Sequence, residues 1–394
     1  MPPHGTALDD LGQNQVKTSL SPSTAPILKI PIELITEIFH HFLPGTYPSA
    51  PPLLGPGADA PDEDSPTLLT QVCRHWRCIA HATPTLWRAI AIFDSCDEQG
   101  DPIEEPDKLL LARLDAMRRW LELSQPRLLS IRVGETNKGH SLRAEAINIL
   151  LENRSRWEYF GFTPWIRTEL EGRHIHGSFP SLRRLAIDTI DDIEGQRIFD
   201  PVDSPVLDDV TLCSSQWSHS ANDLKTLLPW HQLTILLVES AMSRDDVLDV
   251  LALCPNLVHC RFDVLPLQTS TATSVLHLPL LKTAIFTLPS AAEVTEAEPT
   301  VLQYLRLPGL SRLCVSQNLL LAEILSRSSH HTLAEVVAAL ECPRLDALHI
   351  VDASYDFLGS QQDCPELTKK FTFQNPLDKS ILDAEEWGSW DIFL

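Results

Sequence analysis

The chain has 394 residues, 43% of them hydrophobic and 21% charged, an ordinary globular composition with room for two or three domains or one extended array. Its 31 basic and 53 acidic side chains give a formal charge of −22, which is repelled by phosphate backbones and anionic headgroups and argues against a nucleic-acid or membrane partner. Nine scattered cysteines read as reduced thiols of a cytoplasmic or nuclear protein rather than as a disulfide framework. Residues 1–28 hold no apolar core of the signal-peptide kind and are expected to be a disordered tail. No run approaches the ~18 apolar residues of a membrane span. Asn153-Arg154-Ser155, formally a glycosylation sequon, is read as chance in a protein without a secretory signal.

The first predicted helix runs from Pro31, which suits a first helical position, with Glu33 in the positive N-terminal turn. Ile32, Ile35, Ile38, Phe39 and Phe42 recur at helical spacing. Residues 44–66, rich in Pro, Gly and Asp and carrying four acids, read as a disordered insert. A second helix is expected over Leu68–Ala80, where Leu68, Leu69, Val72, Trp76 and Ile79 share one stripe at about 100° per residue. Pro84-Thr85-Leu86-Trp87 then turns the chain. Cys73, His75, Cys78 and His81 would spread over about 200° of that helix and cannot converge on one tetrahedral metal ion.

Three blocks in order, Ile30-Pro31-Ile32-Glu33-Leu34-Ile35-x-x-Ile38-Phe39, Val72-Cys73-Arg74-His75-Trp76-Arg77-x-Ile79-Ala80 and Pro84-x-Leu86-Trp87, resemble the F-box, in the form common among mushroom-type fungi. The resemblance implies a helical module, here residues 29–93, that docks on a Skp-type adaptor and through it on a cullin scaffold. It places the adaptor contacts on Pro31, Ile32, Leu34, Ile35, Ile38, Val72, Cys73, Trp76 and Trp87. The insert is the departure from the family pattern. Loop closure grows only logarithmically with length, so an insert is tolerable, although it could obstruct docking. Packing of these helices on the rest of the chain, with no adaptor, is the plainer alternative.

Residues 94–108 are acidic, with seven acids and no Lys or Arg between Asp94 and Asp107, and read as a solvated linker. Over 109–354 a phrase Pro-x-Leu-x-x-Leu-x-Ile recurs with apolar substitutes, from Pro126-Arg127-Leu128 and Pro180-Ser181-Leu182 to Pro343-Arg344-Leu345. Its anchors at 128, 157, 182, 207, 233, 257, 281, 310 and 345 are mostly 24 to 29 residues apart. That period and core are similar to a leucine-rich repeat. Each phrase supplies one short strand with two inward apolar residues, and stacked phrases make a parallel sheet with a continuous core. Helical stretches are expected at 143–152, 245–253, 318–326 and 333–341. The prolines, 30 against 15 glycines, fall just before strands, where a missing N–H costs no ladder bond. The Asn that lines regular repeats is absent, so an irregular solenoid is expected; a doubly wound α/β domain is the alternative. The fold class expected is therefore α/β, helices followed by a parallel-sheet solenoid.

Alternation along the strands sends Arg184, Asp188, Asp209, Glu239, His259, Arg261, Asp263 and Arg312 to the open face, the expected surface for a protein substrate. Residues 355–394, with Trp387 and Trp390 in an acidic tail, read as an end cap or a docking motif. No hydrolase elbow, phosphate-binding loop or zinc-protease helix is present, and the pairs His40-His41 and His330-His331 read as surface residues. The chain is expected to be no enzyme, to need no cofactor or metal, and to act as the substrate-recognition subunit of a cullin-type ubiquitin ligase. A repeat scaffold without a ligase role is the alternative.

Overall fold

The computed structural model describes residues 29–43, 65–92, 107–133, 140–162, 175–187, 202–213, 226–265, 274–288, 300–327, 333–351 and 371–373. The expectations for the N-terminal tail, the insert up to residue 64, the linker up to residue 106, Asp188, His330-His331 and the C-terminal tryptophans lie outside these residues. The chain is mixed α/β, built on an 11-stranded sheet whose strands follow one another in chain order and pair in parallel throughout.

Helices α1 (Ile32–Phe42), α2 (Pro66–Val72) and α3 (Arg74–His81) precede strand β1 (Ala89–Ile92). The helix expected over Leu68–Ala80 is broken at Cys73, whose backbone is extended at φ −160° and ψ 169°. The break is capped from both sides. Cys73 Sγ accepts from the Trp76 amide at 3.4 Å, and Arg77 Nε reaches back to the Thr70 carbonyl at 2.8 Å. Ser65 and Pro66, assigned above to the insert, are the cap and first residue of α2, a favoured pairing at a helix start.

Helix α4 (Asp107–Leu123) and strand β2 (Leu129–Val133) follow, then α5 (His140–Glu152), β3 (Trp157–Phe162), β4 (Arg184–Ile187), β5 (Asp209–Leu212) and β6 (Ile235–Ser243). Next come α6 (Arg244–Leu253), β7 (His259–Leu265), β8 (Leu276–His277), β9 (Thr283–Thr287), β10 (Leu305–Arg306) and β11 (Arg312–Ser316). The chain continues through α7 (Gln317–Arg327), α8 (Leu333–Ala339), β12 (Ala347–Val351) and β13 (Phe371–Phe373). Strands β8 and β10 form a separate parallel pair. Each of the nine phrases feeds a strand of the large sheet. Two further strands carry no phrase. β1 joins the sheet beside β2, and β13 extends it beyond β12, past the point where the phrase stops.

The register aligns the strands into transverse rows. Ile90, Ile131, Phe160, Leu185, Val210, Leu236, Cys260, Ala284, Leu313 and Leu348 form one, each paired with the next. A second parallel row runs from Ile92 and Val133 to Val315 and Ile350. Both rows lie in a single hydrophobic core with Ile35 and Phe39 of α1, Met117 of α4, Leu150 of α5 and Leu251 of α6. Phe262 and Phe286 stack within it, centroids 6.3 Å apart. Two inward residues per strand, repeated at period 2, are what make one continuous apolar layer.

Prolines shape the entry to four of the strands, β4, β7, β11 and β12. In Phe179-Pro180-Ser181-Leu182, Cys254-Pro255-Asn256-Leu257, Leu307-Pro308-Gly309-Leu310 and Cys342-Pro343-Arg344-Leu345, the leucine amide donates to the carbonyl three residues earlier at 3.0 to 3.2 Å. Proline thus occupies the second position of a turn, where its fixed φ is wanted and its missing N–H is not used. One residue before each strand, main-chain bonds of 2.8 to 3.0 Å run from Arg183 to Glu158, Asp208 to Arg183, Thr234 to Asp208, Val258 to Thr234, Lys282 to Val258, Ser311 to Lys282 and Asp346 to Ser311. This backbone ladder keeps successive strands in step without an asparagine. Among the described residues no helix is long and apolar enough to cross a membrane.

Candidate functional site

Two surfaces collect the predicted site residues. The first is on the N-terminal helices. Around α1 the apolar side chains Leu34, Ile38, Phe42, Ile35, Phe39 and Ile32 span about 160° at 100° per residue, more than one contact face can bury. Ile35 and Phe39 go into the core, and Ile32, Leu34 and Ile38 stay 56%, 57% and 44% exposed. Val72, at the end of α2, is 59% exposed because the break at Cys73 turns it off the stripe that an unbroken helix would have presented. Pro31 is exposed beside them. These four make up half of the eight exposed large hydrophobic residues among the described part of the chain.

Three of the nine expected contact residues stand elsewhere. Ile35 is 0% and Trp87 2% exposed; both are core. Trp87 donates its Nε1–H to the Ala80 carbonyl at 2.8 Å, closing the end of α3. Cys73 is half-buried and spends its sulfur on the cap already described. Trp76 is half-buried, edge-on to Phe39 with centroids 5.0 Å apart, and its enclosed Nε1 has no hydrogen-bond partner among the described residues. His40, expected on the surface, is half-buried and shares a 3.1 Å hydrogen bond with Thr85, which ties α1 to the turn before β1.

The second surface is the sheet face opposite the core. One row of it runs Tyr159, Arg184, Asp209, Ile235, His259, Thr283, Arg312 and Ala347, paired strand to strand. The next runs Gly161, Ala186, Thr211, Leu237, Arg261, Ile285, Cys314 and His349. Ile285 and Cys314 pack with Val351 in a small cluster apart from the main core. Arg184, Asp209, His259, Arg261, Asp263 and Arg312 therefore share the face expected of them, each half-buried. Glu239 does not fall into register. The pairing of β6 with β7 slips between Val238 and Ala241, and Glu239 sits in that bulge. Asp188 lies outside the described residues. His349 on β12 joins this surface by the strand phase, and Lys282, exposed one residue before β9, joins it through its effect on His259.

Charges along the face are arranged in two halves. Arg184 Nε lies 3.6 Å from Asp209 Oδ2. Burial nevertheless dominates at Asp209, pushing its carboxyl up to about 6, with Arg184 pulling the other way and Asp208 adding to the rise. Asp263 accepts a hydrogen bond from Thr287. Burial lowers the pKa of His259, and the positive charges of Arg312 and Lys282 lower it further, so its ring is neutral at pH 7. Beneath the sheet, burial raises the Cys254 thiol to about 12 and Cys260 still higher; both are protonated core residues. Among the described residues no group of three or more His, Cys, Asp or Glu side chains gathers as a metal site would require.

No protein-family model matches the chain, and no curated protein matches it.

Proposed function

We propose that this chain is the substrate-recognition subunit of a cullin-type, SCF-like ubiquitin ligase. In this reading α1–α3 are an F-box that docks on a Skp-type adaptor, and the sheet is a leucine-rich-repeat solenoid that holds the target protein. The observation that carries the reading is the apolar set Ile32, Leu34, Ile38 and Val72, left exposed by the folded chain within the very segments whose order resembles the F-box. Several large apolar side chains left exposed within one short module mark a protein contact. The chain itself needs no reacting group for this role. Holding a target near the scaffold raises the effective concentration of its lysines around the activated ubiquitin.

The test is co-purification of the full chain with a Skp-type adaptor, for wild type and for the double variant Ile38→Asp/Val72→Asp. Capture of wild type and loss in the folded variant is expected. A folded wild-type chain that captures no adaptor, with residues 44–64 present or deleted, overturns the ligase reading in favour of a repeat scaffold.

A further inference from the structure

From β7 to β12 the outer sheet face carries basic groups and no carboxylate in its first two rows. The first row there is His259, Thr283, Arg312 and Ala347, and the second is Arg261, Ile285, Cys314 and His349. Lys282 is exposed one residue before β9. In a chain of charge −22 such a stretch is a local reversal of sign. Among the described residues the carboxylates nearest it along β7–β12 are Asp263, beyond the second row and hydrogen-bonded to Thr287, and the exposed Asp346 one residue before β12.

Two donors in this stretch, Thr283 Oγ1 and Arg261 Nε, find no acceptor among the described residues. Thr283 is fully buried between His259 and Arg312. Enclosed donors without acceptors are costly in a folded chain and point to an acceptor that arrives from outside. Arg312 and Lys282 both act on His259, the neighbour of Thr283 in the register, after the larger effect of burial.

We propose that this half of the sheet face binds an extended, carboxylate-rich segment of a protein partner, with Arg261, Arg312 and Lys282 as its charge contacts and Thr283 as a hydroxyl donor. Strands about 4.8 Å apart and residues about 3.3 Å apart put Arg261 and Arg312 roughly 12 Å from each other at the backbone. One phosphate cannot span that separation, whereas acidic side chains spaced roughly every third or fourth residue of an extended segment can. This deepens the reading of the sheet face as the target surface, and rests on it.

A labelled hexaglutamate peptide, followed by fluorescence polarisation with the full chain, tests the proposal against hexaglutamine and a neutral peptide bearing one phosphoserine. Hexaglutamate is expected to bind, with an affinity that falls as salt is raised, and hexaglutamine is not. Arg261→Gln/Arg312→Gln is expected to weaken binding about tenfold, as two partly exposed charge contacts allow. Lys282→Glu, at an exposed position that leaves the core untouched, is expected to weaken it too. Circular dichroism and adaptor capture are read on the same samples and should match wild type. No hexaglutamate binding by the folded chain, equal affinity of the folded variants, or capture of the phosphoserine peptide in its place overturns the proposal. If hexaglutamate binds but the adaptor is never captured, the ligase reading fails and the acidic-segment site stands.

Discussion

The indoles of Trp87 and Trp120 meet edge to face, with ring centroids 5.2 Å apart and planes at 84°. Trp87 ends the N-terminal helical module and Trp120 belongs to α4, the first helix packed along the sheet, so the contact welds the two. Edge-to-face pairs add about 0.5–1.5 kcal/mol beyond area burial. Trp87 also closes α3 through its bond to the Ala80 carbonyl, and Trp157 repeats the device on the Leu150 carbonyl of α5 at 3.2 Å.

Trp87→Ala should therefore act on stability, costing about 3–5 kcal/mol as a large buried aromatic does. Urea unfolding of the variant should show a lowered midpoint. An unchanged midpoint contradicts a core role and returns Trp87 to the adaptor surface.

Ile38→Asp is its counterpart. An exposed side chain has little packing to lose, so unfolding should shift by no more than about 0.5 kcal/mol while adaptor capture disappears. Ile35→Asp, three residues away but fully buried, should instead yield little folded protein. The two variants compared by thermal melting and adaptor pull-down separate contact from core.

Gly309 occupies the turn Leu307-Pro308-Gly309-Leu310, and a Cβ built there would stand 2.3 Å from the Pro279 carbonyl oxygen of the preceding turn. That obstacle is backbone and cannot swing aside. Gly309→Ala should lower the melting temperature by several degrees, about 1–3 kcal/mol of overpacking. A melting curve identical to wild type would show that the two turns can part freely.

Asp209 carries a pH signature. Its folded carboxyl titrates near 6, whereas the unfolded one titrates near 3.9. Between these values the folded state holds the extra proton, so this group's contribution to stability falls as pH rises from about 4 to 6, and the penalty is complete above that. Asp209→Asn should accordingly raise the melting temperature at pH 7.5 and lose that advantage by pH 4. A gain that is the same at both pH values would mean that burial is not what perturbs the group.

The alternation of apolar residues within each phrase determined the two core rows from sequence alone, because a strand of period 2 has only one way to bury both residues. Arg184, Asp209, His259, Arg261 and Arg312 were placed on the outer face by the same phase. The phrase could not disclose β1 or β13, whose strands join the sheet without it. Helix α4 carries no phrase either, although Leu114, Met117 and Leu121, all buried, recur at three- and four-residue spacing beside the acidic stretch. In α1 more positions are apolar than one face can bury, so the sequence could not say that Ile35 turns inward and Ile38 outward. That choice is made by Trp76 against Phe39 and by the break at Cys73. The placing of Thr283 between His259 and Arg312 belongs to the tertiary structure for one physical reason. Residues some 25 to 30 positions apart become neighbours only when parallel strands stack in register, and register is a property of the assembled sheet.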